Sequence, residues 1–144
     1  MNAQTLQALR GLLFFSVPEA AHMIGGVGER TWRYWEGGRT AIPEDVIDTI
    51  YQLAYQRRLI INNALEVFKQ TPAGAGIVLT YYEHLDDWLD EPILWRVHCS
   101  AMAELASQNK NVVLSKFNSV AYNNWLNGRV DDQSLRSAWS GVVK

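Results

Sequence analysis

The sequence predicts a mainly α protein with a helix-turn-helix head, a long connecting helix, and a C-terminal helical segment containing one or two short strands. Three observations predict it. The stretch 15–39, FSVPEAAHMIGGVGERTWRYWEGGR, holds two short helix signals separated by Gly25-Gly26-Val27. Pro43 then opens an apolar-periodic pattern that meets no breaker before Thr71-Pro72. Beyond that turn, Ile77 to Tyr82 is rich in β-branched and aromatic residues, as a strand would be. The expected division is 1–58 as a DNA-binding head and 59–144 as connecting helix and dimerisation segment.

In chain order, Asn2 can cap a first helix to about Leu13, with Leu6, Leu9 and Leu13 facing inward. Ser16 and Glu19 form a capping box, and Phe15 before it can staple onto the first turn. Ala20, Ala21 and Ile24 share one face, and Gly25 is placed to end that helix in the left-handed conformation. The next helix runs from about Gly28 to Glu36. Trp32 and Trp35 lie on its inner face, and Glu29, Arg30, Arg33 and Tyr34 on the other. A small residue at Ala21 and a glycine four positions later suit two helices that cross closely.

Pro43, with Glu44 and Asp45 behind it, starts a fourth helix whose stripe is Val46, Ile50, Leu53 and Ala54, continuing to about Gln70. After the turn at 71–76 come the strand Ile77–Tyr82 and a short acidic helix from Glu83 to Asp90. A longer helix from about Pro92 to Gln108 follows, with Ile93, Val97, Ala101 and Leu105 as its stripe and Leu94 and Cys99 off it. Val112 to Leu114 reads as a second short strand. Ser119–Asn127 and Asp131–Trp139 read as closing helices broken at Gly128. Trp125-Leu126-Asn127-Gly128-Arg129 echoes Trp35 to Arg39, but nothing upstream repeats the capped helix, and Asn-Gly is an ordinary helix ending.

Composition sets limits. The 144 residues suffice for a genuine core, and 48% are apolar without a run long enough to span a membrane. The opening MNAQTLQALRG has no basic lead or cleavage site, so no secretory signal is expected. Cys99 is the single cysteine, in keeping with a reducing cytoplasm. Net charge is −2 but uneven. Residues 1–43 carry Arg10, Arg30, Arg33 and Arg39 against Glu19, Glu29 and Glu36, whereas residues 76–144 are net acidic. The acidic half should face away from a polyanion, and the head should make few phosphate contacts.

The residues also carry a resemblance. Trp32 to Arg39 resembles the W-E-N-G-K/R ending of recognition helices in the Cro/cI-type (XRE) repressors. The run T-W-x-Y-W-E-x-G-R, then Ala41 and Pro43-Glu44-Asp45-Val46, is similar to the anti-CRISPR-associated repressors and their YdiL-like bacterial relatives. Leu6-Gln7-Ala8-Leu9-Arg10 fits the same family. The resemblance is specific over about the first third of the chain. It implies a lambda-repressor-like fold and sequence-specific repression, often of the protein's own operon. Val17 stands where many such proteins begin the second helix with Gln, Gly26 looks like one extra residue in the turn, and Gly28 replaces the usual Ser cap.

From the residues, Arg30 and Arg33 each offer a fork that matches guanine O6 and N7. Tyr34 could reach a phosphate or a thymine methyl. Glu29 could accept from cytosine N4 or simply favour the positive helix end. Arg39 and Thr40, just past the helix, suit phosphate. The expected partners are an inverted-repeat DNA operator and a second copy of the chain, at the nucleoid in the cytoplasm. No catalytic set, cofactor or metal is expected. Asp86, Asp87, Asp90 and Glu91 near His84 read as solvated acids, and neighbouring His98 and Cys99 point too far apart for a dyad. A protein–protein adaptor or antitoxin-like protein is a competing class, since aromatics such as Tyr82, Trp95 and Trp125 suit an interface as well as a core. RNA binding through the same basic helix is a third reading.

Overall fold

The computed structural model describes residues 1–142, with side chains as far as residue 139. Helix α1 (Ala3–Leu12) starts where Asn2 Oδ1 accepts the Thr5 amide at 2.8 Å. Leu6 and Leu13 are fully buried beneath it and Leu9 half-buried. Helix α2 (Val17–Ala20) follows, with both halves of the Ser16–Glu19 capping box formed and Phe15 buried beside it.

At Ala21 the helix loosens into a π turn, Ala21–Gly25. The expectation that Gly25 takes the left-handed conformation is corrected here: Gly26 does, at φ 59°. A π turn holds one residue more than an α turn, so the left-handed position moves one place along. Gly25 is required for a different reason. A Cβ there would come within 3.0 Å of Val27, 3.1 Å of Trp35 and 3.2 Å of Trp32.

Helix α3 (Glu29–Glu36) begins at Gly28 and α4 (Glu44–Phe68) at Pro43. The stripe Val46, Ile50, Leu53 and Ala54 is buried, and Ile61 extends it. Gly74, at φ 80°, lies in the turn after α4. Strand β1 (Ile77–Tyr81) then pairs in parallel with β2 (Val112–Lys116), in register from Ile77 opposite Val112 to Tyr81 opposite Lys116. Helix α5 (Leu94–Gln108) is the crossover that a parallel pair needs.

Two further expectations change. The acidic helix of 83–90 shrinks to a single 3-10 turn, Leu85–Asp87. Trp88 turns extended instead, meeting the Tyr82 ring edge to face at 5.2 Å and the His98 ring at a tilt at 4.9 Å and donating its indole N–H to the Glu91 carbonyl. A short run of like charges cannot hold a helix against that much aromatic contact. Helix α5 is also not single-striped. Val97, Ala101 and Leu105 are buried as expected, but so are Trp95, Cys99, Ser100 and Met102. Tyr82 lies just past the end of β1, and its carbonyl accepts Trp95 Nε1 at 2.8 Å and the Cys99 thiol at 3.3 Å.

Helix α6 (Ser119–Leu126) is capped by Asn118 and ended by Asn127 and Gly128, both left-handed. Helix α7 (Gln133–Val142) begins after Asp132 accepts the Leu135 amide at 2.8 Å. The head core gathers Leu6, Leu13, Phe15, Trp32, Trp35, Val46 and Ile50, together with Val97 from α5. A second cluster joins Ile61 to Ala101, Met102 and Leu105, and a third joins Tyr82, Trp95 and Cys99. Helix α5 contributes to all three. Among the described residues no helix is long and apolar enough to cross a membrane.

Candidate nucleic-acid interface

Helix α3 has two chemically opposite faces. On the inner one Trp32 is fully buried and Trp35 nearly so, their rings edge to face at 5.5 Å. Trp32 Nε1 donates to Glu36 Oε1 at 2.8 Å. Arg10, from α1, donates Nε to the same oxygen at 2.5 Å and Nη2 to Oε2 at 3.3 Å, while its Nη1 reaches the Phe15 carbonyl at 2.9 Å. The Arg10 and Glu36 side chains are only 16% and 10% exposed. An ion pair shut away to that degree is costly to break one-sidedly, so it holds α1, the entry to α2 and α3 in one geometry.

The outer face is cationic. Glu29, Arg30 and Arg33 are exposed, and Tyr34 is half-buried. Arg30 Nε donates to the Tyr34 hydroxyl at 2.7 Å, and the guanidinium groups of Arg30 and Arg39 each lie 5.4 Å from the Tyr34 ring centre. Arg33 meets Glu29 one turn away at 3.5 Å, a loose and exposed pair. Arg30, Arg33, Tyr34, Gly37 and Arg39 line a shallow recess of about 440 Å³. The structure thus brings four of the six expected residues together, with Glu29 joined through Arg33. Thr40 is exposed beyond the recess. Three guanidinium groups against one carboxylate make a surface suited to an anionic, hydrogen-bonding partner.

Sequence reasoning missed the fastenings behind this face. Glu36 sits four residues after Trp32, on the inner face, and a carboxylate at such a position needs a partner. That placement, with Arg10 as the one cation of α1, was the available signal. Glu19 is a second case. Besides completing the capping box, its carboxylate accepts Arg96 of α5 at 2.8 to 3.2 Å. Burial opposes its ionisation, but hydrogen bonds from Arg96 and Ser16 outweigh that, and Glu19 titrates below its ordinary value. Seventy-seven residues separate the two, so no local pattern could pair them.

The remaining candidates are placed elsewhere. Among the described residues no three His, Cys, Asp or Glu side chains gather as a metal would require. Burial lowers the pKa of His98 to about 4 and raises that of the Cys99 thiol. At Trp125–Arg129, Arg129 donates to the Leu126 and Trp125 carbonyls, each at 2.9 Å, so the echo of α3 is a helix ending.

The family model described as Aca2/YdiL-like matches residues 1–114. The Aca2 repressor of Pectobacterium phage ZF40 is 40% identical over 108 residues, which cover 72% of this chain and 90% of that protein. The uncharacterized protein YdiL of Escherichia coli (strain K12) is 36% identical over 67 residues, 46% of this chain and 57% of YdiL. The chain belongs to the Aca2/YdiL-like family.

Proposed function

We propose that this protein is a sequence-specific DNA-binding repressor, of its own operon, that acts at the nucleoid and reads an inverted repeat with α3. The observation that carries this reading is the cationic outer face of a helix whose inner face is fastened by Trp32, Trp35 and the Arg10–Glu36 pair. A relative 40% identical to it is named a repressor. Arg30 and Arg33 take guanine edges. With Arg30 Nε occupied by Tyr34, its two terminal nitrogens are left for O6 and N7. Tyr34 meets a thymine methyl or a phosphate, Glu29 a cytosine amine, and Arg39 and Thr40 the phosphate backbone.

One such head touches few base pairs, and a net charge of −2 adds little non-specific attraction. A two-fold homodimer supplies the second head, roughly 34–36 Å away along one DNA face. Its contacts are made by residues beyond about Gly76, where Val113, Val120 and Val130 are exposed. Gel shifts on operator variants test the assignment. Arg30→Ala or Arg33→Ala should each cost about 1–3 kcal/mol and relax preference at one position per half-site. Arg39→Ala should weaken binding to all sequences alike. Unchanged affinity in both the Arg30 and Arg33 variants, with the fold intact, overturns the reading.

A further inference from the structure

Helix α5 holds the head at successive turns. Arg96 grips Glu19 with Nε at 3.0 and 3.2 Å and Nη2 at 2.8 Å. Val97, fully buried, is part of the head core. Ser100 donates its hydroxyl to the Leu12 carbonyl at 2.5 Å and accepts Arg57 Nε at 2.7 Å, and Arg57 Nη2 reaches Glu104 at 3.1 Å. Of these ties, the one from Arg96 meets the part of the head least able to hold itself. Helix α2 has four residues, and its continuation is a π turn of five. Segments that short gain little from their own backbone hydrogen bonds, and π geometry is a poor substitute for α. Glu19 concentrates both needs in one carboxylate, since it accepts the Ser16 amide at 2.8 Å as well as the Arg96 guanidinium.

We infer that Arg96 is a positioning residue for DNA reading: through Glu19 it sets α2 and the π turn against α3, and so fixes where Arg30 and Arg33 sit on a duplex. This rests on the reading of α3 as the DNA-contacting helix. The Arg96 and Glu19 side chains are only 28% and 20% exposed, so the pair contributes to stability, and its bidentate geometry also fixes orientation. The packing of Arg96 over the Trp95 ring, at 4.0 Å, holds the guanidinium in place from the α5 side.

Arg96→Met keeps the apolar stem and removes the grip, and Arg96→Lys keeps the charge without the fork. Both are made in the full chain, and amide exchange is read first, without DNA. In Arg96→Met the amides of residues 20–27 should exchange roughly fivefold faster, more than those of α1 and α4, while the melting temperature falls by no more than about 5 °C. Operator affinity should fall roughly fivefold with affinity for unrelated duplex unchanged, and Arg96→Lys should recover part of the loss. Unchanged exchange at residues 20–27 overturns the inference. So does a larger fall in melting temperature with specific and non-specific affinity lost in step, the mark of a merely structural contact. Because exchange is read without DNA, it judges Arg96 even if the wild-type chain selects no duplex, the outcome that would instead overturn the DNA reading.

Discussion

The His98 imidazole packs against Tyr82 and Trp88, with ring centroids 5.8 and 4.9 Å away, and its Nδ1 is buried with no hydrogen-bond partner among the described residues. Burial disfavours the imidazolium and lowers the pKa from 6.5 to about 4. The unfolded chain therefore takes up this proton as pH falls through 6.5, whereas the folded chain does not until about 4. Stability from this group is complete above 6.5 and drains away toward 4, by on the order of 3 kcal/mol. Glu19 and Asp131, whose pKa values lie below 4.5 and 3.8, add a second loss at lower pH, as their paired carboxylates protonate. His98→Phe should flatten the pH dependence between 6.5 and 4 and leave the acid limb in place. Urea melts across that range decide it, and parallel curves for the two proteins would refute the assignment.

At the scale of the element, the turn between α2 and α3 uses two adjacent glycines for unrelated reasons. Gly25 has no room: three side-chain atoms lie 3.0 to 3.2 Å from where its Cβ would be, two of them on Trp32 and Trp35. Gly26 has open space but a left-handed backbone, φ 59°. Alanine should be destabilising at both, by about 1–3 kcal/mol at Gly25 through overpacking and about 1–2 kcal/mol at Gly26 through backbone strain. Asparagine separates the causes. It tolerates the left-handed region, so Gly26→Asn should recover most of the loss, whereas Gly25→Asn should be worse than Gly25→Ala. Thermal melts of the four variants test this, and equal recovery at both sites would count against it.

For the whole molecule, the question is how far residues 1–70 can stand alone. Val97 is fully buried in the head core, and Ser100 satisfies the Leu12 carbonyl. Removing α5 takes Val97 out of the head core and leaves Arg57 without Ser100. A fragment ending at Gln70 should melt at least about 10 °C below the full chain. Light scattering should give a monomer for the fragment and a dimer for the full chain. A fragment that melts with the full chain would make the head self-sufficient. A full chain that is monomeric at micromolar concentration and binds one half-site would end the dimer proposal.

Local chemistry was legible in the sequence because its causes lie within a few residues. The Asn2 cap, the Ser16–Glu19 box, the start at Pro43 and the inward pair Trp32 and Trp35 each follow from neighbours within three or four places, and the two strands' positions from runs of β-branched and aromatic residues. The clustering of Arg30, Arg33 and Tyr34 on one face follows from the same helical spacing. What folding alone decided depends on residues brought from far along the chain. Trp88 leaves a helical path because Tyr82 and His98 offer their rings. Helix α5 is buried on several sides because the head, the sheet and the aromatic cluster all pack on it, which no single hydrophobic stripe reveals. The partner of Glu19 is Arg96, and that of Ser100 is Arg57, because long-range packing chooses among many equivalent charges by position, and position is a property of the folded chain.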